Sequence, residues 1–121
     1  MRDDRTRLQD ILEAVERIET CAARGRAVFE DDDLVQTFII YYLLVLGEAA
    51  RGLSVDFRKR HPEKVWAEAV GRRNILIHQY FGVEVDLVWP VVENDLPVLK
   101  KMVQDILAGE YPPDSGGIVK L

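Results

Sequence analysis

Apolar residues recur at three- and four-residue spacings along most of this chain, and that period commits it to helices. Leu8, Ile11, Leu12, Val15, Ile18 and Ala22 form one such stripe, with charged residues filling the opposite face. The spacing predicts a first helix over 4–23. Gly25 within Arg24-Gly25-Arg26 stops it, because glycine accepts left-handed geometry. The run Glu30-Asp31-Asp32-Asp33 then supplies N-cap side chains and a negative first turn for a second helix. That helix carries Val35, Phe38, Ile39, Tyr42, Leu43, Leu46, Ala49, Ala50 and Leu53. It is apolar around more of its circumference than the first, which predicts a helix that is central or buried on two sides.

Residues 55–60 read as a short helical turn, broken at His61-Pro62 because the residue before proline disfavours helix. Pro62 can open a third long helix through Val65, Trp66, Ala69, Val70 and Ile75-Leu76-Ile77. Gly71 inside it costs about 1 kcal/mol relative to alanine. A close helix–helix contact would account for it. Residues 81–85 form a connector, and Asp86 is expected to cap a last helical region running to Leu107. Pro97 predicts a kink, or a break with restart near Asn94-Asp95. The expected architecture is all-α, an up-and-down bundle of four to five helices over residues 1–108. Residues 109–121, with Pro112-Pro113 and Gly116-Gly117, read as a flexible tail.

A chain of 121 residues is large enough for one core and one domain. No uninterrupted apolar run reaches the roughly 18 residues of a membrane span. The N-terminus opens into an amphipathic pattern with no signal-peptide core, and Cys21 is the only cysteine. These features predict a cytoplasmic protein with no membrane partner. Net charge is −5, but residues 51–80 hold seven Lys/Arg against three acids, a local +4 that leaves −9 elsewhere. Such asymmetry can attract phosphate on an acidic protein. On charge alone, the better account is that charged residues solvate exposed helix faces.

The positive segment contains Gly71-Arg72-Arg73-Asn74-Ile75-Leu76-Ile77-His78-Gln79-Tyr80-Phe81-Gly82. Arg73 is cationic at any working pH, and its planar fork fits phosphate oxygens. His78 exchanges protons near neutrality. RNA can be cut by its own 2′-hydroxyl attacking the adjacent phosphate. A neutral histidine can take that proton, an imidazolium can supply one to the leaving oxygen, and an arginine can stabilise the phosphorus centre. This chemistry calls for no metal or other cofactor, and no His/Cys cluster here has metal-ligand spacing.

On a straight helix Arg73 and His78 lie about 140° apart, so one helix does not present both on one face. Asn74 and His78, four positions apart, do share a face. One histidine per chain also serves poorly as base and acid together. A two-fold dimer would bring two of each residue into one cleft. An Arg and a His at this spacing also occur on ordinary surfaces. By the same standard Tyr80 could simply pack at a helix end, Trp66 and Trp89 belong in the core, and Tyr41 and Tyr42 in the core or an interface. His61, in a basic loop before proline, reads as a solvated histidine.

The pattern Arg73, four residues, His78, one residue, Tyr80 resembles the signature of the HEPN superfamily. With Asn74 and Phe81-Gly82 it is most similar to the HepT-like toxins. The likeness extends from Trp66 to Val88-Trp89 and Asn94-Asp95-Leu96-Pro97, and to Gly47-Glu48-Ala49-Ala50 on the second helix. The resemblance implies a helical bundle that dimerises with its site at the interface, and a metal-independent endoribonuclease toxin. It makes Arg73 and His78 the catalytic pair and Asn74 the polar residue beside them. Glu48 would be a supporting acid near the site, and Arg72 a second arginine at a permitted spacing. It also implies a cognate minimal nucleotidyltransferase antitoxin, as in type VII-like pairs, that transfers AMP to Tyr80. The alternative implied by the same likeness is a non-catalytic helical module that binds such a nucleotidyltransferase and positions its substrate or nucleotide.

Overall fold

Asp3 accepts the Thr6 N–H at 2.8 Å and so starts α1, Asp4–Ala22, in a computed structural model that describes residues 3–62, 66 and 85–111. Leu8, Ile11, Ala14, Val15 and Ile18 are its buried face, the stripe that the periodicity defines. The chain reverses at Gly25, whose φ of 97° is the left-handed geometry that favours glycine. A short helix α2, Arg26–Asp31, follows and inserts Phe29 completely into the core. Its last carbonyls, of Phe29 and Glu30, accept the Gln36 side-chain amide at 2.8 and 3.1 Å.

Asp32 caps α3, Asp33–Arg51, by accepting the Leu34 and Val35 N–H groups at 2.9 and 3.3 Å. Helix α3 packs along α1 and buries Val35, Ile39, Ile40, Leu43, Leu46, Gly47, Ala49 and Ala50. Burial does not extend all the way around α3. Leu34, Phe38 and Tyr41 are 81, 38 and 57 % exposed, so a second apolar strip of α3 faces outward. By length and composition α3 would also be able to cross a bilayer. Gln36, Glu48 and Arg51 interrupt its apolar stretch, so it contains no unbroken run of that length. In this fold α3 is a core helix that packs against α1 and α2.

Ser54 caps α4, Val55–Arg60, whose Phe57 is fully buried. Trp66 is helical and 4 % exposed, with its ring edge-on to Phe57 at 5.5 Å. The chain then forms α5, Val85–Pro90, a π-helical turn over Val91–Asp95, and α6, Leu96–Glu110. Asp86 lies inside the first turn of α5 rather than before it. The break expected from Pro97 takes the form of the π turn, with the α-helix restarting at Leu96. Proline offers no N–H to the carbonyl four residues back, and the wider turn absorbs that loss. Helix α6 runs through Gly109 and Glu110, past the expected start of the tail. It packs on α1, with Lys100 Nζ donating to Glu19 at 2.8 Å. Among the described residues there is no strand, and the fold is all-α.

Candidate functional site

Arg72, Arg73, Asn74, His78 and Tyr80 lie outside the described residues. The elements on either side of that segment are held to the bundle. On the N-terminal side, Ser54 gives its backbone N–H and hydroxyl to the two carboxylate oxygens of Asp4, at 2.8 and 2.6 Å. Arg58 Nη2 donates to the last carbonyls of α3, at 3.0 Å to Ala50 and 2.6 Å to Arg51. Arg60 and His61 both reach the carboxylate of Glu110 at the end of α6.

His61 is therefore not the solvated histidine expected. Its side chain is 18 % exposed, its ring lies 4.7 Å from that of Phe57, and its Nε2 is bonded to Glu110. Partial burial alone would raise the Glu110 carboxyl. Hydrogen bonds from His61 and Arg60 outweigh that and hold it below the usual range.

On the C-terminal side, Asp86 accepts Arg26 Nη2 at 2.6 Å, and Trp89 packs on Phe29 with ring centroids 5.5 Å apart. Trp66 and Trp89 are thus core residues, as expected from the sequence. Tyr41 is exposed, and Tyr42 is half-buried.

Glu48, the one supporting acid among the described residues, stands on the open face of α3. Its Oε2 lies 3.4 Å from Arg51 Nη1. It lines a groove of about 570 Å³ between α1 and α3, together with Arg7, Asp10, Tyr41 and Arg51. Sequence periodicity misses this groove, because Arg7 and Arg51 read there as solvated helix faces. Part of the local positive charge is committed. Arg51, Arg58 and Arg60 all have carboxylate or carbonyl partners, which favours the solvation-and-capping account of that charge.

A second groove, about 680 Å³, runs past Glu13, Glu16, Arg17, Cys21 and Asp32. Burial pushes the Cys21 thiol up, against the pull of Arg24 and with help from Asp32, so it is not a poised nucleophile. Among the described residues no group of three or more His, Cys, Asp and Glu is placed to hold a metal ion.

The family model for HepT-like ribonucleases matches residues 11–106, which takes in all or most of each described helix and the Arg-His-Tyr motif. The chain belongs to the HepT-like ribonuclease family. It is 39 % identical over 104 residues to a Methanocaldococcus jannaschii protein named as a candidate RNase, covering 85 % of this chain and 95 % of that one. It is 42 % identical over 96 residues to a Thermococcus cleftensis protein named "Probable ribonuclease HepT", covering 77 % and 86 % of the two chains. A Caldanaerobacter subterraneus protein, also named as a candidate RNase, is 33 % identical over 111 residues, 91 % of this chain and 99 % of its own. No solved structure matches.

Proposed function

We propose that this chain is a metal-independent endoribonuclease toxin that works as a homodimer. The observation that carries the reading is the coincidence of the family match with Arg73, Asn74, His78 and Tyr80 at the family's spacing. His78 takes the proton from a 2′-hydroxyl, the 2′-oxygen attacks the adjacent phosphorus, and the P–O5′ bond breaks. The leaving 5′-oxygen takes a proton from the imidazolium of the second copy's histidine, and a 2′,3′-cyclic phosphate remains. Arg73 neutralises the non-bridging oxygens, and Asn74 hydrogen-bonds beside His78. Arg72 and Glu48 support the site. Leu34 and Phe38, both exposed on α3, support the dimer, since an exposed apolar patch commonly marks an interface.

Control falls to a minimal nucleotidyltransferase antitoxin that moves AMP from ATP to the Tyr80 hydroxyl, releasing pyrophosphate. The added phosphate sets a negative charge two residues from His78, where it competes with RNA for Arg73.

RNA cleavage by the purified protein in EDTA tests the mechanism. Wild type should cut and leave a cyclic phosphate. Arg73→Ala and His78→Ala should each lose most of the rate, about 10²–10⁴-fold for a general acid–base group. Cleavage that requires added Mg²⁺ overturns the mechanism. Inert wild type that still binds the nucleotidyltransferase leaves the non-catalytic module as the better account. For control, mass spectrometry after co-expression should show AMP on Tyr80. Full neutralisation with Tyr80 unmodified would replace covalent control by steric capping.

A further inference from the structure

The groove between the first half of α1 and the second half of α3 holds two guanidinium groups and an exposed aromatic ring. Arg7 lies flat against Gly52. A Cβ built on that glycine would sit 2.4 Å from Arg7 Cζ, 2.6 Å from Nη1 and 2.7 Å from Nε. Only a residue without a side chain leaves the guanidinium where it is. Its Nε is buried with no hydrogen-bond acceptor. The guanidinium lines the groove beside the Asp10 and Glu48 carboxylates, and its unsatisfied Nε marks hydrogen-bonding capacity that the chain itself does not use.

Arg51 stands on the same stretch, and its contact with Glu48 is an exposed pair at 3.4 Å, weak enough to exchange for a phosphate. The C-terminal end of α3 would by itself repel an anion. Arg58 occupies the Ala50 and Arg51 carbonyls and offsets that field. At the other end of the groove, Tyr41 is held edge-on by Tyr42, with centroids 4.9 Å apart and planes at 84°. Its ring remains 57 % exposed. Tyr41 and Arg51 are ten positions apart on one helix, about 15 Å.

We propose that this groove is a subsite for single-stranded RNA flanking the cut, with a base stacked on Tyr41 and backbone phosphate on Arg7 and Arg51. It rests on the RNA-cutting reading, through Glu48, which lines the same groove. Asp10 and Glu48 bring the groove close to neutral, so it selects short-range contacts over general polyanion attraction. Aromatic stacking with paired arginines is the usual equipment for sequence-tolerant single-strand binding.

The test is fluorescence anisotropy of the full chain with a labelled single-stranded oligomer in which every 2′-hydroxyl is methylated, so that 2′-attack cannot cut it. Tyr41→Ala, Arg7→Ala and Arg51→Ala should each weaken binding about tenfold. Each arginine loss should lower the slope of log affinity against log salt by about 0.7. Gly52→Ala is the sharper variant. It keeps every charge and a permitted backbone, yet its methyl group forces the Arg7 guanidinium to shift, so it should weaken binding without removing a charge. Arg24→Ala, in the other groove, should bind as wild type does, and circular dichroism melts confirm that each variant is folded. If wild type cleaves RNA and binds the oligomer while folded Gly52→Ala, Arg7→Ala and Tyr41→Ala bind equally well, the subsite is wrong and the nuclease reading stands. If wild type neither cleaves RNA nor binds the oligomer, the nuclease reading falls and takes the subsite with it.

Discussion

Ser54 and Asp4, fifty positions apart, are joined by two hydrogen bonds, backbone N–H to Oδ1 at 2.8 Å and hydroxyl to Oδ2 at 2.6 Å. The same Ser54 hydroxyl accepts the Phe57 N–H at 3.0 Å and caps α4. One residue therefore ties the start of α1 to the start of the helix that leads into the motif segment. It does so through a charged acceptor, which strengthens both bonds.

Ser54→Ala should cost about 1 kcal/mol, the usual value of an N-cap. Asp4→Ala should cost a similar amount, and the double variant less than the sum of the two, because they remove one shared network. Urea unfolding of the four proteins checks this. Strictly additive losses would mean that the two residues act independently.

Glu110 should make stability depend on pH. Its carboxyl is held below the usual range by His61 and Arg60 in spite of partial burial. A lowered native pKa adds stability that is complete above the unfolded carboxylate value, about 4.3. That stability is lost as pH falls through the lowered native value. Glu110→Gln should therefore be less stable than wild type at neutral pH, and the gap should close on acidification. Urea midpoints of both proteins over that range measure the gap. A gap independent of pH would locate the loss in packing instead.

The clamp between α2 and α5 combines one buried ring pair with one exposed ion pair, and the two should differ in weight. Phe29 is fully buried against Trp89, so Phe29→Ala should cost about 3–5 kcal/mol. Arg26 is 45 % and Asp86 88 % exposed, so Arg26→Ala should cost about 1 kcal/mol or less. Thermal melts rank the two. A larger loss for Arg26→Ala would show that the ion pair, rather than the ring stack, holds α5.

What could be read in advance was local. The stripe of α1, its stop at Gly25, the acidic cap of α3 and the restart beside Pro97 each follow from residues within one or two turns of each other. Helix α2 was missed because six residues contain no complete apolar period, and its acids read as caps for the next helix. Other features come from partners distant in the chain. His61 finds Glu110 forty-nine positions away, and Arg7 finds room because Gly52 lies across from it just past the end of α3. No spacing rule reaches that far. The candidate site could be named from the sequence for the opposite reason, since Arg73, Asn74, His78 and Tyr80 are neighbours in the chain.

The outward strip of α3 leads to the last prediction. Leu34 and Phe38 are one helical turn apart and both exposed, and Phe38 packs on Tyr42 at 4.9 Å, which holds its ring in place. In a two-fold dimer the same patch meets itself, so any substitution there occurs twice across the interface. Leu34→Glu with Phe38→Glu would place four carboxylates in one apolar contact, where like charges repel and none is solvated. Within a single chain both side chains face solvent, so the fold should survive. Wild type should sediment as a dimer at micromolar concentration, and the double variant as a folded monomer. If the site is shared between copies, RNA cleavage should fall together with the dimer. A double variant that stays dimeric would move the interface to another face. One that is monomeric and fully active would show that a single copy carries the whole site.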